Sequence, residues 1–251
     1  PAARDRIPGD PAAAGIVGAA TLACYWFTAA RTVLLEDDGF FLQAAWFNAV
    51  AHPPGYPLYV ALAHLSTLVP AGPVALRVHV LTGMFAALAC VLLFRLTRRL
   101  GLPCAVAAII ALLYGFSGTF WSQAIIAEVY SLNVLLFLAC ALVAMEIGSR
   151  PETVTPRALI CGGLYYGLGL ANHWPLLVLS TPALLALAWP ARRTLLRGSH
   201  RLLLGVAIGL LPYLWMVWRT HVVPEYCFAG PITSWQEFRF YVGREGYAGM
   251  D

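Results

Sequence analysis

A helix needs about 20 predominantly apolar residues to cross the hydrocarbon of a bilayer. Six segments of this chain approach or reach that length: residues 12–35, 74–96, 103–120, 124–147, 158–170 with its flanks, and 202–218. Composition agrees, because 60% hydrophobic residues against 11% charged and a mean hydropathy of +0.73 lie far outside the range of soluble domains. The expected fold class is therefore all-α, a polytopic membrane helix bundle, with 1–251 forming a single transmembrane module. The sequence opens on Pro1, with no Met and no cleavable signal pattern, and stops in a polar stretch. That pattern leads us to expect a fragment of a longer chain.

Charge decides the status of two shorter apolar runs, 56–69 and 175–189. If the second crosses the membrane and the first does not, every arginine cluster falls on one side: Arg4 and Arg6; Arg95, Arg98 and Arg99; Arg150 and Arg157; Arg192, Arg193, Arg197 and Arg201. By the positive-inside rule that side is the cytoplasm. Letting 56–69 cross would send the later clusters outside, so this run of about 14 residues is expected to be a re-entrant or interfacial helix. The total is then about seven spans. Residues 40–50 place aromatic side chains at helical spacing suited to the headgroup layer, so the first outer loop, of about 40 residues, carries two interfacial helices. The basic residues are all arginine and sit between apolar runs, so the formal net charge of +4 marks topology and gives no indication of a nucleic-acid partner. Five of the six cysteines lie inside apolar runs, with neither metal-ligand spacing nor a disulfide framework, and are read as packing residues.

The same topology carries Glu36, Asp37 and Asp38, the run His52-Pro53-Pro54-Gly55, the 123–128 region and Asn172-His173 to the non-cytoplasmic face. Three carboxylates at the end of a span serve chemistry, or meet a partner that offsets their desolvation, or solvate a loop. Adjacent Asp37 and Asp38 point in different directions, so at most one faces a given substrate atom. Glu128 lies between Ile126 and Val129, where an ionised carboxylate is unfavourable. Helical spacing with Trp121, Ala124 and Ser131 turns it towards a cavity, and the competing reading is a structural salt bridge to Arg77 or Arg31. Arg77, His79, Arg219 and His221 are positive groups on a face that should be poor in arginine, which suggests an anionic ligand such as a lipid phosphate. Arg31 is expected to snorkel to the interface. Pro53 and Pro54 restrict the loop after His52, and His173 reads equally as a ligand contact or a hinge. The pairs Gly163/Gly167 and Gly205/Gly209 fit close helix packing.

Taken together, Asp37-Asp38-Gly39, His52-Pro53-Pro54-Gly55-Tyr56-Pro57-Leu58, Trp121-Ser122-Gln123, Glu128-Val129-Tyr130-Ser131-Leu132-Asn133 and Asn172-His173 resemble the signature series of one family. It is the protein O-mannosyltransferase family of the transmembrane-protein-260 type, within the C-type glycosyltransferase architecture. The match runs from about Leu34 to Tyr247 and has the family's flavour again in 231–238 and in Gly246-Tyr247. It implies that the chain is the amino-terminal part of a longer one. One departure is that the family's Asp-Ser-Gly-Glu appears here as Asp37-Asp38-Gly39-Phe40; the Asp maps onto Asp37, the Glu is missing, and Asp38 is expected to compensate. The resemblance implies transfer of a mannose-like sugar, with inversion, from a polyprenyl phosphate donor to a hydroxyl acceptor, expected to be Ser or Thr of a protein, on the outer face. Asp37, Asp38 and Glu128 would be the catalytic set. His52, Pro53, Pro54, Gly55, Tyr56, Arg77, His79, Gln123, Tyr130, Asn133, Asn172, His173 and Arg219 would line the substrate site. No cofactor is called for by the sequence, and the part of a divalent metal is left open. The rival class is a transporter or lipid flippase whose charges form a translocation path; polar residues gathered at one face instead of the midplane argue against it.

The one-sided arginine distribution predicts that single cysteines introduced at Asp37, His52 or Asn172 react with a membrane-impermeant thiol reagent added outside intact cells. A cysteine at Arg197 should not react, and labelling there would contradict the topology.

Overall fold

The computed structural model describes residues 10–243, so the Arg4/Arg6 cluster and the Gly246-Tyr247 pair fall outside the described residues. Twelve α-helices run through that range, with no strand among the described residues. The first, α1 (Pro11–Thr28), opens with Asp10 as its N-cap, whose side chain accepts the Ala13 N–H, and with Pro11 in the first turn, where a missing N–H leaves no bond unmade. Two short helices follow, α2 (Asp38–Phe47) and α3 (Pro57–Thr67). Then come α4 (Val74–Arg99), α5 (Cys104–Gly115), α6 (Gly118–Ala124), α7 (Tyr130–Ser149) and α8 (Pro156–Ala188). The chain closes with α9 (Arg192–Arg197), α10 (Ser199–Gly209), α11 (Leu211–Val222) and α12 (Trp235–Val242).

Five stretches are long and apolar enough to cross a membrane, or six when the pair α5 and α6, bent by 65°, counts as one broken span. This is an integral membrane protein. The longest helix, α8, contains a fold. His173 has non-helical angles (φ −153°, ψ 94°), and Tyr166 Oη lies 2.7 Å from Thr181 Oγ1. Fifteen residues on a straight helix are separated by about 22 Å, so α8 doubles back at His173 into two antiparallel limbs, 156–172 and 174–188. Gly169 permits the turn's close packing, since a Cβ there would meet Leu177 at 2.8 Å.

The helix ends sort into two groups. At one end Arg99 of α4 pairs with Glu146 of α7, and Gly148 of α7 lies against the backbone of Leu187. At the other end Trp121 donates to Thr28 Oγ1 (3.0 Å), Asn172 to the Val129 carbonyl (3.1 Å) and Trp174 to the Val242 carbonyl (2.9 Å). The short helices lie at this second end. With 11 residues α3 is far below spanning length. It buries Tyr59, Val60 and Ala63 and ties Tyr59 to Thr82 of α4 through a 2.8 Å hydroxyl contact. His64 Nδ1–H donates to the Ala45 carbonyl of α2 at 2.8 Å. Helix α2 turns Phe41, Ala44 and Ala45 inward and leaves Phe40 and Trp46 exposed.

Three expected helices differ from the observed ones, the run 103–120 being bent between α5 and α6. The first span stops at Thr28, not Leu35, because the Ala30 carbonyl and the Leu34 N–H bond to His79 and Asp38 instead of continuing the helix. The expected continuous helix over 124–147 is broken: α6 ends at Ala124, residues 125–129 are irregular, and α7 begins at Tyr130. Trp121, Ala124, Glu128 and Ser131 therefore do not share one helical stripe. The break leaves the Ala127 N–H available to a side chain, and Asp38 takes it.

The two glycine pairs meet across α8 and α10. A Cβ at Gly163 would run into the Leu202 carbonyl, and one at Gly205 into the Ile160 carbonyl, so the backbones touch as in other small-residue membrane interfaces. Replacing Gly163 by Ala should lower the thermal inactivation temperature even though alanine gains about 1 kcal/mol in helix propensity, because a carbonyl in a packed helix cannot withdraw. Gly15→Ala, with nothing within 4 Å of its Cβ position, should be neutral or stabilising. A Gly163 variant as stable as wild type would contradict the packing.

Candidate active site

Asp38 is the first residue of α2 and is fully buried. Its Oδ1 accepts His79 Nε2–H and the Ala127 N–H, each at 2.7 Å, and its Oδ2 accepts the Leu34 N–H at 2.7 Å. His79, equally buried, turns Nδ1 to the Ala30 carbonyl at 2.8 Å. Both ring nitrogens thus face oxygen atoms, which hold the ring from two sides. Burial alone would raise the Asp38 carboxyl, but the bonds from His79, Leu34 and Ala127 outweigh it and hold the group below its ordinary value. Asp38 was expected to act as a second carboxylate at the substrate. In the structure its side chain is enclosed and tied to α4, to the α1–α2 connection and to the α6–α7 break.

Its neighbour points the other way. The Asp37 side chain is 50% exposed, with Oδ2 3.2 Å from His52 Nε2. His52 is buried among the rings of Phe41 (5.6 Å) and Tyr56 (5.1 Å). The loop that carries it turns through Gly55 at φ +85°, where a Cβ would meet Met216 Sδ at 2.5 Å and adjust only by displacing that side chain. Glu128, in the irregular 125–129 segment, is buried and makes no ion pair among the described residues, so the competing reading of a salt bridge to Arg77 or Arg31 is not met. Burial first, and then repulsion from Asp37, pushes its carboxyl up to about 8, against a weak pull from the Val129 N–H. Gln123 donates to Glu36 at 3.1 Å on the exposed rim.

Next to Glu128 lies a group of polar atoms without partners. The Val129 carbonyl accepts both the Asn133 N–H (3.0 Å) and Asn172 Nδ2 (3.1 Å), and Asn133 Nδ2 lies 3.4 Å from His173 Nδ1. His173 in turn stacks on Tyr56 and meets Tyr130 edge-on, both at 5.8 Å. Ser131 Oγ, Asn133 Oδ1 and Asn172 Oδ1 are buried with no hydrogen-bond partner among the described residues. Buried polar atoms are rarely left this way without a function. Among the described residues no group of three His, Cys, Asp or Glu side chains is placed to hold a metal ion.

The outer cations behave differently from the expectation of an anion site. Arg77 Nη1 donates to the Thr67 and Val69 carbonyls at the end of α3 (2.5 and 2.6 Å). Arg219 donates to the Asn48 and Phe47 carbonyls at the end of α2 (2.5 and 3.2 Å). His221 faces the Ile232 carbonyl at 2.9 Å. Short helices end in carbonyls without intrahelical partners, and these side chains satisfy them. The sequence reading also missed the segment after α11. Tyr226 stacks on Phe47 at 3.7 Å, the Phe228 N–H bonds the Val50 carbonyl at 3.1 Å, and together with Phe40, His52 and Glu225 they line a cavity of about 120 Å³. The only sequence signal was an aromatic cluster after Pro224.

Comparison with known proteins places this geometry. Residues 37–195, which open on Asp37 and contain Asp38, His52, Glu128, Asn172 and His173, match the profile of the protein O-mannosyl-transferase TMEM260 N-terminal domain. The chain belongs to the protein O-mannosyl-transferase TMEM260 family. It is 33% identical over 237 residues to the mouse protein named protein O-mannosyl-transferase TMEM260, an overlap covering 92% of this chain and 34% of the mouse protein. The chain therefore spans about a third of the length of that TMEM260 relative. No solved structure matches.

Asp38→Ala should destabilise this TMEM260-family chain by about 3 kcal/mol or more, because it strands three buried hydrogen-bonding groups: the His79 ring and the Leu34 and Ala127 N–H. Thermal inactivation in detergent would register this, and a wild-type midpoint would refute the linking role. For Glu128, the protonated state prevails below about pH 8. If that state is the active one, turnover falls as pH rises through about 8 and Glu128→Gln loses that fall while keeping activity at neutral pH. An unchanged alkaline limb in the variant would exclude Glu128 as its source.

Proposed function

We propose that this chain transfers mannose from a polyprenyl phosphate donor to a Ser or Thr hydroxyl of a protein, on the non-cytoplasmic side of the membrane. The reading is supported by membership of the TMEM260 family and by the name of the mouse relative. The observation that carries it is the pairing of a half-exposed carboxylate, Asp37, with His52 at 3.2 Å, beside a buried carboxyl, Glu128, that keeps its proton near neutral pH. In this proposal the six candidate spans and the return limb of α8 make seven crossings. The arginine-rich end faces the cytoplasm, and α2 and α3 lie at the outer interface.

The chemistry follows from those roles. As the acceptor oxygen attacks the anomeric carbon, Asp37 takes the hydroxyl proton and the bond from that carbon to the phosphate oxygen breaks, with inversion. His52 holds the Asp37 carboxylate in place. The leaving polyprenyl phosphate needs charge stabilisation without protonation. With Arg77 and Arg219 engaged by carbonyls, Arg31, exposed just beyond α1, is the cation assigned to it. Protonated Glu128 donates a hydrogen bond to the donor, and Ser131 Oγ, Asn133 Oδ1 and Asn172 Oδ1 gain sugar hydroxyls as partners.

The test is turnover of polyprenyl-phosphomannose onto a Ser/Thr peptide by the protein in lipid nanodiscs. Asp37→Asn keeps the side chain's shape but removes its proton-accepting charge, so donor binding should persist while turnover falls about 100-fold or more. Wild-type turnover in that variant would take the base away from Asp37. Inactivity of the wild-type chain with every donor sugar would count against the transferase reading.

A further inference from the structure

The end of the bundle opposite Asp37 holds the larger cavity, a groove of about 490 Å³ between α1, α4 and α7. Its floor is apolar, formed by Ala14, Phe94 and Leu142, and its mouth carries Arg95, Arg98 and Arg99 with Asp10 and Glu146. Spacing of i, i+3 and i+4 puts the three guanidinium-bearing residues on one side of α4.

The charges in the groove are unevenly used. Glu146 is paired with Arg99 and lies 3.9 Å from Arg150. Asp10 is occupied as the cap of α1, accepting the Ala13 N–H and the Cys104 thiol (3.5 Å). Neither Arg95 nor Arg98 has a carboxylate within ion-pair distance among the described residues. Arg98 donates through Nη1 to the Leu102 carbonyl at 2.7 Å, and its Nε is buried with no partner. Arg95 is exposed, one turn nearer the membrane interior. An apolar slot that ends in an exposed Arg95 and in an Arg98 that keeps a buried Nε without a partner has the chemistry of an anionic lipid: acyl chain along the floor, phosphate at the mouth.

We infer that the groove between α1, α4 and α7 is a binding site for an anionic phospholipid of the leaflet facing the arginine-rich end, with Arg95 and Arg98 holding its phosphate. This site is remote from Asp37 and independent of the transferase reading. Native mass spectrometry of the purified protein during stepwise delipidation tests it, with phosphatidylglycerol and phosphatidylcholine offered in equal amounts. Wild type should retain one phosphatidylglycerol preferentially. Arg95→Gln and Arg98→Gln should each lower that retention about fivefold, the scale of one arginine near an anionic surface, while Arg157→Gln, outside the groove, should leave it unchanged. Inorganic phosphate at matched concentration should not displace the lipid; displacement would assign the site to a soluble phosphate and overturn the lipid assignment. Equal retention of both lipids by the wild-type protein would also overturn it, whatever the variants do. Undiminished preference in the Arg95/Arg98 double variant would do the same.

Discussion

The geometry of the outer end depends on one buried contact, the Asp38–His79 pair. A carboxylate and an imidazole without solvent access are unfavourable unless each is fully hydrogen-bonded, and here each is: Asp38 by His79, Leu34 and Ala127, and His79 by Asp38 and Ala30. The pair joins the connection between α1 and α2 to two pieces of chain far away in sequence, the first turns of α4 and the break between α6 and α7. Since Asp37 precedes Asp38 and Glu128 follows Ala127, the same contact fixes where the two candidate reactive carboxyls sit relative to each other. A hydrophobic substitute of similar volume would fill the space without specifying that register.

The short helices α2 and α3 extend the same logic. Helices of 10 and 11 residues leave a large share of their carbonyls without intrahelical donors. Arg219 closes the end of α2 and Arg77 the end of α3, so these two arginines stabilise local backbone. The side chains left over for chemistry are correspondingly few. Asp37 is half-exposed, Glu128 holds its proton through burial and Asp37's charge, and a handful of buried amide and hydroxyl oxygens around Val129 stand ready for a polar ligand.

Much of this was legible in the sequence, because periodicity and length are read directly as membrane helices, and the class followed from them. The divergence of Asp37 and Asp38 followed from their adjacency alone. What the sequence could not reveal was which of the pair turned inward, since that depends on His79, 41 residues away, being within reach. The break at 125–129 was missed for a related reason: an apolar run carries no local stop signal, and the helix yields there to a tertiary bond between Ala127 and Asp38. Arg77 and Arg219 were read as ligand-binding because charge on the outer face is visible in sequence, whereas the carbonyls that consume it are visible only after folding.

In the proposed transfer reaction the buried Asp38–His79 pair presents Asp37 to the acceptor hydroxyl. A cryo-electron microscopy map of the Asp37→Asn variant in nanodiscs, with polyprenyl-phosphomannose and a Ser/Thr peptide bound, tests it most directly. The account predicts the peptide hydroxyl within about 2.6–3.2 Å of the residue 37 side chain, the sugar against Glu128, and Asp38 still enclosed beside His79. Density for the sugar away from residue 37, or Asp38 turned out to meet it, would contradict the account.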